Sequence, residues 1–544
     1  MTRTLNAPAM WLLSILVGVV AGLGAVAFRA LIAFIHNLLF LGKLSASYDA
    51  NVHTPPSPWG PFVIFVPVVG ALGVVFLVKN FAPEAKGHGV PEVMNAVYNR
   101  RGIIRPVVSV VKALASALSI GSGGSIGREG PIIQIGSSFG STVAQGLRLP
   151  AWQRITLIAA GASGGIGATF NTPIGGVLFA IEIILHEVSV RTLVPVVTAT
   201  ATATYVGQLF FGPHASFSIP ALETPFFAVA KPLVLVAYAG LGAIAGLVSA
   251  LFIRSIYGCE TFFEKRVKGG YYVQHTAGML AVGLLMYVLM QRFGHYYVQG
   301  VGYATIQDVL TGVQSSLYML LIVFAAKLLA TSLTLGSGAS GGVFSPALFL
   351  GATSGAAWGV ALNHFFPGLN ISPAAFAVAG MGGVVGGSTG AAMAAIVMIF
   401  EMTLDYTVIV PMTLTVAISY AVRWSLVKDS IYTRKLTLRG ETVPETMRAD
   451  VHFSKRAAGI MHPVNADGPG DWAGATSDGA RKDYVMVGPN ASLSDVITKM
   501  QANNASLALV TSKDGQFDSA DVQGVITLKD ILETLAEDME LFSD

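Results

Sequence analysis

Residues 10–40 form one apolar stretch in which Arg29 is the sole Asp, Glu, Lys or Arg. It is too long for a signal-peptide core and ends without an A-x-A type cleavage site. It therefore predicts a tilted membrane-spanning helix interrupted by Arg29. Further apolar runs fall near residues 61–78, 107–118, 155–160, 192–211, 232–253, 276–290, 317–335, 373–385, 391–400 and 408–422. Charged residues make up only 12% of the 544, mean hydropathy is +0.64, and 53% of the chain is hydrophobic. Soluble domains carry about 25% charge, so an integral membrane protein is implied. Collagen, disorder, a disulfide scaffold and a nucleic-acid-binding module are excluded. The net charge of +3 is nearly balanced, and the single Cys259 cannot form an internal disulfide.

Several runs are shorter than the ~20 residues of a straight span and are divided by glycine-rich breaks, a pattern of transporters and channels with half-helices in the bundle. Lys79, Lys86, Arg100, Arg101, Arg105 and Lys112 crowd residues 79–112, and Arg423, Lys428, Arg434, Lys435 and Arg439 follow the last run, whereas loop 41–60 holds only Lys43. The positive-inside rule places the 79–105 loop and the C-terminus in the cytoplasm. Residues 161–182 parallel residues 380–401, 219 positions later, and Pro131, Gly136 and Gly140 match Pro346, Gly351 and Gly355 at a spacing of 215. Two halves, about 10–211 and 225–437, predict an all-α pseudo-symmetric bundle with its binding site at the repeat interface. Chance similarity between Gly/Ala-rich helices is the plainer reading.

The segment GSGGSIGREGPIIQIG (121–136) sets glycines before Pro131 and an apolar run, which predicts a helix starting at Pro131 with free N–H groups ahead of it. In a membrane such a terminus attracts an anion through backbone dipoles alone. Glu129 stands at that terminus, and a lone intramembrane carboxylate is a functional residue by default. It reads as an internal anion mimic: ionised, it fills the site; protonated or displaced, it opens the way. The plainer reading pairs it with Arg128 at the interface. GSGASGGVFSPALFLG (336–351) repeats the design, so amides near Val343 and Phe344 face the same anion unless the glycines are a simple helix break. KGHGVPEV (86–93) is a third such segment.

GHGVP (87–91), GREGP (127–131) and GVFSP (342–346), followed by FEMT (400–403) with Asp405-Tyr406 and by Ser430-Ile431-Tyr432, resemble in order the motifs of the CLC family of chloride channels and chloride/proton antiporters. The resemblance covers about residues 10–437. It implies inverted repeats and a homodimer with one anion pathway per subunit. Glu129 then matches the family's gating glutamate. His88, Arg128, Gly130, Val343, Phe344 and Tyr432 fall on anion-binding positions, the last by its hydroxyl, and Lys112 matches a lysine that makes the pathway electropositive.

Two departures stand out. His88 replaces the Ser of chloride-selective members and the Pro of nitrate-preferring ones. Its imidazole either contacts the anion, with a pH dependence, or turns away and leaves backbone amides to bind. Ile183 occupies the inner proton position, where antiporters usually carry a second Glu, and Glu182 beside it reads as structural, near a dimer interface. An apolar residue at 183 favours passive conduction. The expectation is a gated chloride channel with Glu129 as the gate. The alternatives are a chloride/proton antiporter of the same fold or selectivity for nitrate or fluoride, and an enzyme or non-transporting scaffold is the remaining class. The compact chain looks prokaryotic, hence multi-pass in a plasma membrane.

From about residue 438 to 544 charge returns, and a small cytoplasmic α+β tail is predicted: a helix at 492–503, strands at 507–511 and 522–526, a turn at 513–515, a helix at 528–535 and a flexible insertion at 465–483. IMHPV (460–464) and GVITLKD (524–530) resemble a CBS module. There Thr527 and Asp530 match residues that hold an adenosine ribose, against a plain structural role. No metal-binding motif is present: His186-Glu187 lacks a second His at the right spacing. No cofactor is expected.

Overall fold

The computed structural model describes residues 4–186, 188–217, 219, 232–369, 371–441, 443, 457–463, 484–491, 493–503, 505–511 and 522–540. The expected insertion at 465–483 and turn at 513–515 lie outside them. The chain divides into two compact units, Met1–Thr446 and Met447–Asp544.

The first unit is helical. Its helices are α1 (Ala7–Leu41), α2 (Val66–Phe81), α3 (Val90–Asn99), α4 (Val107–Gly121), α5 (Glu129–Gly146), α6 (Ala151–Phe170), α7 (Pro173–Phe179) and α8 (Val190–Phe211), then α9 (Pro232–Arg266), α10 (Gly270–Phe293), α11 (Tyr303–Leu310), α12 (Leu317–Gly336), α13 (Phe344–Phe365), α14 (Pro373–Thr389), α15 (Ala392–Thr403), α16 (Ile409–Leu426) and α17 (Thr433–Leu438). Among the described residues seven helical segments are long and apolar enough to cross a membrane, and shorter apolar helices lie between them. Large apolar side chains such as Leu12, Phe62 and Leu209 are exposed on the outside, as a lipid-facing surface requires.

Three sequence expectations change here. Arg29 does not interrupt α1, which runs through it unbroken; the guanidinium lies 4.3 Å over the Phe211 ring. Arg423, expected just after the last run, is instead inside α16, and Lys112 lies within α4 as its run implied. Both are fully or nearly fully buried, with Lys112 donating to the carbonyls of Ala85 and Gly87 and Arg423 to those of Gly387, Val427 and Lys428. α5 begins at Glu129, two residues ahead of Pro131, because Glu129 and Gly130 already take helical conformation.

The repeat is real in space. Gly127 and Gly342 exchange backbone hydrogen bonds of 2.8 and 2.7 Å in an antiparallel bridge. Equivalent segments meeting antiparallel mark a pseudo-two-fold axis, so α5 and α13 lead away from it in opposite senses: the repeats are inverted. The same symmetry governs packing. A Cβ on Gly136 would stand 2.1 Å from the Gly161 carbonyl oxygen, and one on Gly351 would stand 2.3 Å from that of Gly380. Glycine lets α5 cross α6, and α13 cross α14, at backbone contact.

Glu182 and Glu401 bind the halves reciprocally. Glu182 accepts the N–H groups of Met393 and Ala394 (3.0 and 2.7 Å), while Glu401 accepts those of Ile174 and Gly175 (3.0 and 2.8 Å). Neither α15 nor α7 has a side-chain cap of its own, so each takes its anionic cap from the other half.

The second unit holds α18 (Leu493–Asn503), α19 (Leu528–Glu540) and a sheet of order β1 (His462–Pro463), β4 (Val522–Thr527), β3 (Leu507–Thr511) and β2 (Tyr484–Val487). β2 and β3 pair in parallel, with α18 between them in sequence, and the other pairs are antiparallel. Leu493, Val496, Ala508, Val510 and Ile526 form its core. α19 runs past the 528–535 expected, to Glu540, and β4 ends one residue later, at Thr527.

Candidate anion-binding site

The three glycine-rich segments meet at the axis. Gly87 donates to the Ala339 carbonyl at 2.9 Å, and Gly341 donates back to Gly87 at 3.2 Å, while Gly127 and Gly342 close the other side. A Cβ on Gly130 would lie 2.0 Å from the His88 carbonyl oxygen, so the loops before α3 and α5 touch as well. The N-termini of α3, α5 and α13 are thus held together, and Val90, Glu129, Gly130, Val343 and Phe344 are all buried there. Their unspent N–H groups give positive potential without a full charge.

Glu129, 2% exposed, turns its carboxylate across the axis toward α13. Oε2 accepts the Ser345 N–H at 3.4 Å, and Oε1 accepts the hydroxyls of Ser345 and Tyr303, the latter at 3.0 Å. Among the described residues it makes no ion pair. Arg128 therefore does not neutralise Glu129. Its guanidinium lies over the Phe170 and Tyr303 rings, 5.5 and 5.3 Å away, its Nε finds no partner, and it lines an outer cavity of ≈ 290 Å³ shared with Arg29, Asp49 and Asn51.

His88 is 4% exposed, its ring is 6.0 Å from that of Tyr257, and its Nδ1 has no partner. The Tyr257 hydroxyl donates to the Ile431 carbonyl at 2.6 Å, so His88 lies on the side of the segment that carries Tyr432. Tyr432 is 2% exposed, and its ring stands edge-on to Phe179 at 6.3 Å. Immediately after Phe179 the backbone widens into a π-helix, Ala180–Leu185, closed by the His186 N–H to the Ile181 carbonyl at 2.8 Å. Ile183 sits within it, 4% exposed.

Three residues went unnoticed in the sequence. Tyr303 follows Gly300-x-Gly302, the counterpart of Gly87-x-Gly89, and Ser345 lies inside the GVFSP motif itself. Lys327 is the mate of Lys112 at the 215-residue spacing. It is fully buried and donates to the carbonyls of Val298 and Gly300 at 3.1 and 2.9 Å, as Lys112 does to Ala85 and Gly87 at 3.0 and 2.8 Å. In the tail, Asp530 accepts the Thr527 N–H and hydroxyl (2.7 and 2.8 Å) while Thr527 accepts the Asp530 N–H, a capping box on α19. His462 meets its other oxygen at 2.8 Å.

The chain matches the voltage gated chloride channel family model over residues 70–423 and a CBS domain model over 480–537. An H(+)/Cl(−) exchange transporter ClcA of Yersinia pseudotuberculosis is 33% identical, over 74% of this chain and 82% of its own, and one of Yersinia pestis is 34% identical over the same shares. A slow cyanobacterial Cl−/H+ antiporter superposes with a TM-score of 0.68 at 24% identity, covering 80% of this chain and 99% of its own. A eukaryotic CLC transporter does so at 0.66 and 20%, covering 96% and 98%. With well over half of its length in one family model and its helices in that family's fold, the chain is a multi-pass membrane transport protein of the voltage gated chloride channel (CLC) family, carrying a CBS domain after its membrane unit.

Proposed function

We propose that the protein exchanges chloride for protons, with Glu129 alternating between anion surrogate and proton carrier. The observation that carries this reading is the Glu129 carboxylate seated across the axis on the Ser345 amide and two hydroxyls, where backbone dipoles from both halves converge. Ionised, it competes with an anion for those donors. Protonated, it loses most of its hold and yields the place. Proton and anion movements are then linked through one side chain. The curated relatives being named exchange transporters supports this alternative better than the gated channel first expected.

Val343 and Phe344 offer amides to the anion, Tyr432 its hydroxyl, and Lys112 positive potential from below the α3 loop. His88 is the selectivity residue: its partnerless Nδ1 is a buried polar atom whose desolvation an anion contact would offset. Two such chains assemble as the homodimer. Passive conduction is the second reading, favoured by one observation: Ile183 cannot relay protons. The exchange reading needs water or another group to bring protons from the inner side.

Liposomes holding the purified protein separate the two. A chloride gradient drives protons uphill in exchange, and Glu129→Gln abolishes that movement while chloride still passes. Chloride flux with no uphill proton movement in the wild type refutes exchange in favour of conduction.

A further inference from the structure

Tyr303 opens α11 and lies outside GHGVP, GREGP and GVFSP. Its ring is 2% exposed, edge-on to Phe217 at 5.1 Å and beneath the Arg128 guanidinium at 5.3 Å, so its orientation is fixed by packing. The residue before it, Gly302, holds a φ of +80°, and a Cβ there would press on the Phe349 ring at 2.8 Å and on Lys327 Nζ at 3.0 Å. That tight, left-handed turn delivers the phenol inward. The hydroxyl donates to Glu129 Oε1 at 3.0 Å and stands 2.9 Å from Ser345 Oγ, which donates to the same oxygen. Tyr303 also lines the ≈ 290 Å³ outer cavity, so it separates Glu129 from that cavity.

We infer that Tyr303 is a positioning residue for Glu129: its hydroxyl, together with that of Ser345, latches the ionised carboxylate in the anion position, and the latch loosens when the carboxyl is protonated. The reason is donor counting. A carboxylate accepts both hydroxyls at once, as strong charge-assisted bonds. A carboxylic acid is a poorer acceptor and brings a proton of its own, so one of the three groups is left without its partner. The cluster therefore favours ionised glutamate in place and tolerates protonated glutamate leaving. This rests on the reading of Glu129 as gate and proton carrier.

Other charged or titratable groups face Glu129: Arg128 on its own helix, Lys327 from α12, Tyr432 at the start of α17, and Arg29 and Asp49 across the outer cavity. All remain in Tyr303→Phe, which keeps the ring and its contacts to Phe217 and Arg128 and removes one donor. Chloride efflux from liposomes is measured against external pH for the wild type, Tyr303→Phe, Ser345→Ala, and Tyr303→Phe combined with Glu129→Gln. Loss of a hydrogen bond to a charged group shifts the acid activation of efflux by about one pH unit toward alkaline in each single variant. Adding Tyr303→Phe to Glu129→Gln leaves the pH profile where Glu129→Gln alone puts it. A Tyr303→Phe protein that transports with the wild-type profile overturns the latch and leaves the exchange reading standing, as does a shift of equal size in the Glu129→Gln background. A wild-type protein that moves no anion overturns both.

Discussion

At the residue scale, a chain with 12% charge builds its proposed anion site with few charges. One amide and two hydroxyls hold Glu129, while Lys112 and Lys327 donate to carbonyls and Arg128 lies over aromatic rings. Fixed dipoles bind an ion weakly enough to release it. Lys112→Met is expected to reduce chloride affinity about tenfold, because it removes buried positive charge and frees the Ala85 and Gly87 carbonyls; titration of transport rate against chloride checks this. His88→Ser is expected to change the chloride/nitrate/fluoride permeability ratio, and an unchanged ratio removes the imidazole from the anion's surroundings. The motif residues at the axis were legible in the sequence because glycine, proline and glutamate together have few other uses in a membrane. Tyr303 was not: an aromatic residue beside a glycine turn reads as packing until its hydroxyl is placed, and only the Gly-x-Gly echo before it was a signal.

At the element scale, the apolar runs 192–211 and 317–335 matched α8 and α12 within two residues, whereas 155–160 and 232–253 fell well short of α6 and α9, whose remaining turns are rich in glycine or polar residues; the two repeats were visible in glycine and proline spacing. What spacing did not show was the cross-bracing. Glu182 and Glu401 read as two acids at equivalent places, and their exchange as caps needs the three-dimensional axis. Glu401→Gln is expected to destabilise the membrane unit by ~1–3 kcal/mol, since an amide is a weaker partner for two N–H groups and its NH2 clashes with one; thermal unfolding in detergent measures it, and Glu182→Gln should match it by symmetry. Gly136→Val is expected to prevent folding, with a side chain forced onto the Gly161 carbonyl; loss of a monodisperse chromatographic peak reports it. In the tail, burial raises the Asp530 carboxyl pKa, but the Thr527 N–H and hydroxyl and His462 together outweigh it and hold the group below its ordinary range. Its stabilisation is therefore complete above the unfolded aspartate value and is lost as pH falls through the lower folded value. Asp530→Ala should cost ~1 kcal/mol at pH 7, and the difference from wild type should vanish in acid, as followed by hydrogen exchange of α19 in the full chain.

At the scale of the whole molecule, the inverted repeat sets three helix N-termini around one point, and neither half alone completes the site. Glu129 comes from one half, while the amide that holds it, Ser345, and Tyr303 come from the other. Membrane class, repeat, pathway motifs and tail were all readable from sequence, whereas the choice between coupled exchange and passive conduction was not, because Ile183 argues for a channel and Glu129 serves either reading. Exchange through one side chain requires that the Glu129 carboxylate and the anion share one place. Crystals grown in bromide at neutral pH test it by anomalous scattering. A bromide peak is expected at the carboxylate position, within reach of the Ser345 N–H, in Glu129→Ala and none there in the wild type; no peak in Glu129→Ala, or one in the wild type beside an undisturbed Glu129, rules out a shared place.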